Sequence, residues 1–373
     1  MKLLVSSTEP ILCLLFICLH VSSALDSNIS KPGGRSWPLI NGSLLDNHKE
    51  QIQSNSITLV VPILCLVSFI IGLPMNLIAL WILLFRTKKL PSTILLINLT
   101  ICDLMLLLVL PFRIFYHFIG NNWTFGETFC RIVVGLFYGN MYGSVVCLAL
   151  IAMDRYIALV HPFGAKVLRS KKNSAYMSVL VWIAVAAAAV PLIASKQSHK
   201  IENLPITTCH DALPVEKLEQ YFLPYFATIF SVFFLLPLLV VLFCYSAVLH
   251  TLISEGERFA HAIRVTGLML IVFVVFLLPS NVLMLWHYSK IRTDSSNLYI
   301  PYSIALSLST FNSCVDPFIF YYVSKDFRKR LWEALCCFVL ESESSSESRT
   351  KVTLLSKMSK TDGDLIGNTV RLG

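Results

Sequence analysis

Charged residues are scarce in this chain. They make up 14% of its 373 residues, while hydrophobic residues make up 55% and the mean hydropathy is +0.70. A globular protein carries about 25% charged residues, so the composition argues against a soluble enzyme or a disordered protein and indicates that lipid is the main solvent. The excess of 30 Lys+Arg over 22 Asp+Glu is typical of the cytoplasmic loops of a membrane protein rather than of a nucleic-acid surface.

Other features are missing as well. The sequence contains no nucleophile–base or metal-ligand constellation of the kind that an enzyme needs. It has no repeat that relates its two halves, and few ionisable residues interrupt its apolar segments, whereas transporters usually have internal repeats and charged pathways. These absences favour a receptor, leave a transporter or channel as a distant alternative, and make an enzyme the least favoured class.

Residues 1–24 have the features of a secretory signal peptide. Lys2 precedes a short apolar run, Ile11 to Leu19, and the small residues Ser22-Ser23-Ala24 offer a cleavage site. Residues 25–56 are polar and lack apolar periodicity, so we expect a disordered extracellular tail. Glycosylation sequons begin at Asn28, Asn41 and Asn122.

Seven later segments are long enough to cross a bilayer, which takes about 20 apolar residues per helix. Every connection between them is short, so we predict an all-α membrane protein with a bundle of seven transmembrane helices over residues 57–323. The predicted spans are Thr58–Phe85, Pro91–Phe118, Phe129–Val160, Ser174–Ser195, Tyr221–Leu252, Ala260–Tyr288 and Leu298–Val323.

Basic residues set the predicted orientation. Most of them lie in the connections after the first, third and fifth spans and after the seventh span. The positive-inside rule therefore predicts a multi-pass plasma-membrane protein with its N-terminus outside and its C-terminus in the cytoplasm. Residues 324–337 alternate basic and apolar residues and suit a short amphipathic helix on the anionic inner leaflet, and residues 338–373 form a cytoplasmic tail.

A set of polar side chains lies within the predicted spans. A carboxylate in the middle of the second span, that of Asp103, is costly in lipid and needs partners. The candidates are four oxygen-bearing side chains on the third and seventh spans: Asn140, Ser144, Asn312 and Asp316. Hard cations prefer such oxygen ligands, so the set could hold sodium, with Asp103, Ser144 and Asp316 as its ligands. A hydrated network around a protonated Asp103 is an equal alternative.

The third span connects two further motifs. Arg155, in Asp154-Arg155-Tyr156, follows Cys130 by 25 residues, about 37 Å of helix, so the two lie at opposite ends of the span. Cys209 falls in the longest outside loop. Two cysteines in an oxidising compartment are expected to form a disulfide rather than to remain free thiols.

At this point the pattern resembles that of a rhodopsin-like G-protein-coupled receptor. The resemblance covers Thr58 to Trp332, and its motifs are specific as a set. They are Asn76, Asp103, Cys130, Asp154-Arg155-Tyr156, Trp182, Cys209, Pro237, Tyr245, Pro279 and Asp316-Pro317.

A narrower resemblance is to the protease-activated receptors. It is carried by Ile206-Thr-Thr-Cys-His-Asp211, Phe137-Tyr-Gly-Asn-Met-Tyr142, Pro279-Ser-Asn281 and Asn312-Ser-Cys-Val-Asp-Pro317. The segments Cys209 to Pro214 and Leu90-Pro-Ser-Thr93 are most similar to those of the fourth receptor of that family.

This resemblance implies activation by proteolysis. A protease would cut the tail after Arg35, the one arginine of residues 25–56, which stands in Lys31-Pro-Gly-Gly-Arg35. The new N-terminus would act as a tethered ligand, a small residue followed by an aromatic and apolar residues. Its residues are Ser36, Trp37, Pro38, Leu39, Ile40 and Asn41. Lys49 is a competing basic site, whereas Lys31 precedes Pro32 and is a poor one.

The released end needs an acidic partner for its ammonium group and an apolar pocket for its aromatic ring. Asp211 is the candidate acid, beside His210 in the outside loop. Aromatic residues near the same end of the bundle could line the pocket, although each one alone could equally be a membrane-interface anchor. They are Tyr138, His287, Tyr288, Tyr299 and Tyr302.

Thrombin and a role in haemostasis are what the family implies. The tail has no acidic-aromatic docking stretch after the cut, so trypsin or another arginine-specific protease stays open. The alternative function is a rhodopsin-like receptor for a diffusible peptide or nucleotide, without proteolytic activation.

The resemblance also implies partners at the cytoplasmic face. Heterotrimeric G proteins would bind near Asp154, Arg155, Tyr156 and Tyr245, with Arg155 paired with Asp154 at rest. Leu277 and Phe320 replace the usual aromatic and tyrosine switches, and Phe259 replaces a carboxylate. Cys336 and Cys337 are candidate palmitoylation sites, with free thiols an equal alternative. The serines between 342 and 348 would bind arrestin once phosphorylated.

Overall fold

The structure is a computed structural model and describes residues 37–39, 42–44, 46–161, 169–214, 218–254, 267–268, 270–290, 298–323, 328–329 and 331–332. Predicted segments outside these ranges include the signal peptide, the segment around Arg35, and the cytoplasmic tail.

Helices occupy all seven predicted spans. Their α-helical bounds are Val61–Trp81, Pro91–Phe118, Glu127–Val160, Lys171–Ala194, Leu223–Phe230 with Leu236–Ser254, Leu278–Lys290, and Tyr299–Ser309 with Asn312–Val323. Within the described residues, the first five spans are long and apolar enough to cross a membrane, and the sixth contributes the apolar helix Leu270–Met284. The third span lies at the centre and packs against the second, fourth and fifth.

Prolines account for most of the widened helical turns. The π-helical turns Ser56–Val60, Leu218–Phe222, Ser231–Leu235 and Phe273–Leu277 each end two residues before a proline. A proline ring clashes with the carbonyl four residues earlier and offers it no N–H donor. That carbonyl belongs to the central residue of each turn, and the wider turn lets the helix continue past the proline.

Within the described residues, four short strands lie at the end of the bundle that carries Cys130, here called the disulfide end. Strand β1 is Trp37–Leu39 in the tail, and β2 (Ser198–Lys200), β3 (Thr207–Cys209) and β4 (Ala212–Pro214) belong to the loop between the fourth and fifth spans. β2 and β3 form an antiparallel pair. β1 pairs in parallel with β4.

The expectation of a disordered tail fails for its described part. Beyond β1, a short helix α1 spans Asp46–Ile52. Leu39, Leu44 and Ile52 are buried in one apolar cluster with Ile201 and other residues of the loop. The tail is ordered because these apolar residues, too widely spaced to show a period, pack against partners distant in sequence.

Residues 328–329 and 331–332, described apart from the bundle, have helical backbone. This agrees with the short helix expected after the seventh span.

Candidate functional site

The loop between the fourth and fifth spans is held against the third span at several points. Cys130 and Cys209, the pair predicted from sequence, are joined by a disulfide with their Cα atoms 5.8 Å apart. At the start of the loop, the Glu127 carboxylate accepts hydrogen bonds from the backbone N–H groups of Gln197 and Ser198 at 2.9 and 2.7 Å. It also accepts from the Ser198 hydroxyl and pairs with Arg131. Sequence reasoning missed Glu127, one helical turn before Cys130.

The connection between the second and third spans holds β3 from the other side. The Trp123 N–H donates to the Thr207 carbonyl at 2.6 Å, and the Thr207 N–H donates to Asn122 Oδ1 at 3.0 Å. The side-chain oxygen of the predicted glycosylation residue Asn122 is therefore part of the loop's support. The other two sequon asparagines, Asn28 and Asn41, lie outside the described residues.

Asp211 is buried directly before β4. Its Oδ2 accepts a hydrogen bond from the Tyr116 hydroxyl at 2.8 Å. Tyr116 comes from the last turns of the second span and was not predicted, because nothing in its local sequence separates it from the other aromatic residues there. A buried carboxylate with one such donor keeps further acceptor capacity for a positively charged group.

His210, one residue earlier, adopts the left-handed conformation with φ 69°. Its Nδ1 and Gln197 Oε1 are 2.6 Å apart. The imidazole ring lies 5.7 Å from the ring of Tyr138 and within about 6 Å of Phe222 and Phe226. This fully buried aromatic group confirms that Tyr138 and His210 lie together, and it adds Phe222 and Phe226, which sequence reasoning missed.

Of the other predicted pocket residues, two are buried and two have side chains that the structure does not describe. Tyr299 and Tyr302 are buried, and Tyr299 packs in the apolar cluster that contains Leu39. His287 and Tyr288 lie in the helix Leu278–Lys290, but their side chains are outside the described part of the chain.

The predicted ligand segment lies against the same loop. β1 pairs with β4 in the register Trp37 with Ala212, Pro38 with Leu213, and Leu39 with Pro214. The strand therefore begins beside the residue that follows Asp211. Arg35, Ser36, Ile40 and Asn41 lie outside the described residues.

The polar set inside the bundle is assembled around the predicted carboxylates. Ser144 donates to Asp103 Oδ1 at 3.2 Å and Ser313 donates to the same oxygen at 2.9 Å. Asn312 Nδ2 donates to Asp316 Oδ2 at 3.1 Å. Ser313, which lies between two predicted members, was missed.

Three acceptor oxygens in this set receive no hydrogen bond from a described residue: Asp103 Oδ2, Asp316 Oδ1 and Asn312 Oδ1. Asn140 is buried in the third span, and its Nδ2 donates no hydrogen bond to either carboxylate in the described structure. No group of three or more His, Cys, Asp or Glu side chains that could hold a metal is found among the described residues.

At the opposite end of the third span, here called the Arg155 end, the expected pairing of Asp154 with Arg155 is wrong. Asp154 instead accepts two hydrogen bonds from Arg169, at 2.7 Å from Nε and 3.0 Å from Nη2. A planar guanidinium that offers two parallel donors suits a carboxylate better than its adjacent neighbour on a helix can. Arg155 remains within electrostatic reach of Asp154 and lies near Tyr245.

Other residues predicted at this end are only partly described. The Tyr156 hydroxyl lies 3.0 Å from His161 Nε2, and its ring contacts Phe243. Leu277 is buried within a π-helical turn. Phe259, the side chain of Phe320, Cys336, Cys337 and the serines between 342 and 348 fall outside the described residues.

Comparison with known proteins identifies the family. The pattern of the 7 transmembrane receptor (rhodopsin family) matches residues 75–320. Proteinase-activated receptor 4 of Homo sapiens is 45% identical over 275 residues, which cover 74% of this chain and 71% of that protein. Proteinase-activated receptor 2 of Mus musculus is 39% identical over 314 residues, 82% of this chain and 78% of that protein.

A more distant relative extends the match. Proteinase-activated receptor 1 of Xenopus laevis is 34% identical over 321 residues, which cover 85% of this chain and 76% of that protein. These relatives are receptors rather than enzymes, and the apolar helices make the chain a multi-pass membrane protein. The chain belongs to the rhodopsin family of G-protein-coupled receptors and, within it, to the proteinase-activated receptors.

Proposed function

We propose that this receptor is activated by cleavage after Arg35 and that the new N-terminus, Ser36 to Asn41, is its tethered ligand. The disulfide end faces the outside of the cell in this proposal, because a disulfide persists in an oxidising compartment. The ligand binds there, and the Arg155 end couples to heterotrimeric G proteins in the cytoplasm. The relatives' shared name, proteinase-activated receptor, agrees with this order of events.

The observation that carries the proposal is the pairing of β1 with β4. A peptide that adds a strand to an exposed edge gains backbone hydrogen bonds, while its side chains select the site. The paired residues Trp37–Leu39 lie within the proposed ligand, and their partners directly follow Asp211. Asp211 then provides the carboxylate for the ammonium group of Ser36, with Tyr116 orienting it.

The test compares a protease with a free peptide. In cells that express Arg35→Ala, thrombin and trypsin should release no calcium, whereas the free peptide Ser-Trp-Pro-Leu-Ile-Asn should act as on the unsubstituted receptor. Lys49→Ala is the matched control, because Lys49 is the competing basic site of the tail and, among the described residues, forms an ion pair with Asp46. It should respond normally to both agonists.

Two results would contradict the proposal. A protease response that survives Arg35→Ala would place the cut elsewhere. If neither the unsubstituted receptor nor Arg35→Ala responds to either agonist, the result would favour the alternative function, a receptor for a diffusible peptide or nucleotide.

The proposal also concerns which protease cuts the receptor in the body. We favour a trypsin-like serine protease, with thrombin and a role in haemostasis as the family's implication. The described tail presents Asp46, Lys49 and Glu50 on one short helix. This mixture of charges would bind only weakly to a basic docking surface on a protease. Initial rates of N-terminal tag release at matched thrombin and trypsin concentrations would separate the two.

At the Arg155 end we propose that Arg155, Tyr156 and Tyr245 contribute to the G-protein surface. Phosphorylated serines between 342 and 348 would recruit arrestin by their negative charge, and lipid chains on Cys336 and Cys337 would hold the nearby helix at the membrane. Loss of arrestin recruitment without loss of calcium release, on replacement of these serines by alanine, would test the arrestin part.

We also propose a sodium ion among the buried carboxylates. Asp103, Asp316, Ser144 and Asn312 would hold it, since their free oxygens suit a hard cation. When bound, the ion would neutralise part of their charge. A shift in peptide affinity between sodium and potassium buffers that disappears in Asp103→Asn would support the site, and an unchanged affinity would leave a protonated Asp103 as the explanation.

A further inference from the structure

The tail directly after the proposed ligand is bound to the tip of the loop between β2 and β3. The Glu202 N–H donates to the Gly42 carbonyl at 3.0 Å. The side-chain amide of Asn203 binds both backbone groups of Leu44, accepting from its N–H at 3.1 Å and donating to its carbonyl at 2.7 Å. One asparagine side chain therefore binds the tail as a neighbouring strand would. We call these tail and loop residues the clamp: Gly42, Leu44, Glu202 and Asn203.

The clamp requires the left-handed backbone conformation of Gly42. Its φ is 78°, in the left-handed region that glycine adopts without strain. A Cβ built on Gly42 would lie 2.9 Å from the Glu202 side chain. Any other residue here would be strained and crowded at once, so the turn that brings Leu44 to Asn203 depends on glycine.

Apolar packing secures the clamp. Leu44 and Ile52 are buried in the cluster that contains Ile201 and Tyr299, and removal of such side chains from water is favourable. Beyond Leu44, the Ile52 carbonyl accepts a hydrogen bond from Asn121 Nδ2. The chain between the clamp and the first span is therefore folded rather than a free linker.

We propose that the clamp shortens the tether of the ligand and so raises the ligand's concentration at its own site. The proposal rests on the proposed function, because it requires a new N-terminus at Ser36. Without the clamp, the tether would run from Ser36 to the folded helix α1, which begins at Asp46, ten residues further on. With the clamp it ends at Gly42, after six residues, which reach about 20 Å when fully extended.

Chain statistics give the size of the effect. The effective concentration of a tethered group falls roughly as the −3/2 power of linker length, provided that the linker spans the sites. A change from ten residues to six therefore raises it about twofold. Asn203 and Gly42 are thus positioning residues, because they lie outside the six ligand residues and act on the ligand through the length of its tether.

The experiment uses the full-length receptor with a tag at its mature N-terminus. Asn203→Ala removes both side-chain bonds to Leu44 from an exposed position. Gly42→Ala disturbs the same contact from the tail. Glu202→Ala is the matched control: it truncates the adjacent exposed residue but keeps its backbone N–H, which makes the bond to Gly42.

Three quantities are measured per receptor at the cell surface: tag release by protease, calcium release by the free hexapeptide, and calcium release per cleaved receptor. We expect Asn203→Ala and Gly42→Ala to need about twice as many cleaved receptors for a half-maximal response. Tag release, the hexapeptide response and Glu202→Ala should be unchanged.

The proposed role of the clamp would be overturned if both variants gave the same calcium release per cleaved receptor as the unsubstituted receptor, provided that the unsubstituted receptor responds to protease. Loss of tag release or of the hexapeptide response would also overturn it, because the residues would then act in cleavage or in the ligand site. If the unsubstituted receptor gives no protease response, the proposed function itself fails, and the clamp fails with it.

Discussion

The two ends of the bundle are held by different kinds of contact. At the disulfide end, a covalent bond, backbone pairing between strands, and several hydrogen bonds to Glu127 fix one arrangement of the loop. At the Arg155 end, Asp154 is held by a side-chain ion pair with Arg169, whose side chain is 28% exposed. A second arginine, Arg155, is the neighbour of Asp154 in the chain.

In the proposed function, this difference corresponds to two tasks: ligand binding at the disulfide end and switching at the Arg155 end. A site that must accept a weak, tethered ligand gains affinity when it is preorganised, because little order is then lost on binding. An end that must switch needs two arrangements separated by a small free energy. One carboxylate with two arginines in reach can form two alternative ion pairs of similar free energy. A disulfide-linked loop has no such alternative arrangement.

The largest effect is expected from the disulfide. Cys209→Ser would release the loop from the third span and with it the position of Asp211. Loss of a native disulfide typically costs about 2–5 kcal/mol of stability. If that loss falls on the binding loop, the hexapeptide concentration for half-maximal calcium release should rise about 30-fold or more. Cys244→Ser is the control, because Cys244 is a buried free cysteine of the fifth span. Equal responses of the two variants would show that the loop needs no covalent anchor.

Asp211→Asn should be next. It removes the charge proposed to bind the ligand's ammonium group but keeps an acceptor for Tyr116. Breaking one side of a buried charge pair costs about 2–5 kcal/mol, so hexapeptide potency should fall at least about 30-fold. Tyr116→Phe removes only the 2.8 Å hydrogen bond and should cost about tenfold. A larger loss from Tyr116→Phe than from Asp211→Asn would contradict the role of Asp211.

Glu127→Gln tests the preorganisation of the loop without touching the ligand. The charge that accepts from Gln197 and Ser198 is lost, although a carbonyl oxygen remains. A charge-assisted hydrogen bond is about twice as strong as a neutral one, so we expect a five- to tenfold loss of hexapeptide potency, from about 1 kcal/mol. Hydrogen exchange of the loop amides should rise in parallel. A potency loss without faster exchange would assign Glu127 to ligand contact instead.

The seven helices could be predicted from sequence because lipid imposes one simple demand: a long apolar segment whose backbone bonds are satisfied within it. The disulfide followed from the compartment and from helix length. Both inferences depend on properties of single segments, and the described structure agrees with both.

The contacts that sequence could not give are those between distant segments. The tail was expected to be disordered because Leu39, Leu44 and Ile52 show no period, and Leu44 meets Asn203 across 159 positions of the chain. Ser313 was missed for a similar reason, since only the approach of the second and seventh spans brings it to Asp103. The sequence offers two arginines as partners for Asp154, and the prediction chose its neighbour Arg155, whereas the ion pair in the structure is with Arg169.

The smallest expected effect lies at the Arg155 end. Arg169→Gln frees Asp154 to pair with Arg155, which should hold Arg155 away from the G protein. A partly exposed ion pair contributes about 1 kcal/mol or less, so agonist-independent signalling should fall by up to about fivefold, measured as inositol phosphate at matched surface expression. Lys172→Gln, at an exposed cation in the first turn of the helix that follows Arg169, is the charge-matched control.

Asp154→Asn should act in the opposite direction and raise basal signalling, because neither arginine then has a carboxylate to bind. The pair of variants separates two roles of Arg169. If Arg169 only stabilised the fold, both Arg169→Gln and Asp154→Asn would lower surface expression and leave signalling per receptor unchanged. Opposite changes in basal signalling require that the two arginines compete for one carboxylate, the property that distinguishes this end of the bundle from the disulfide end.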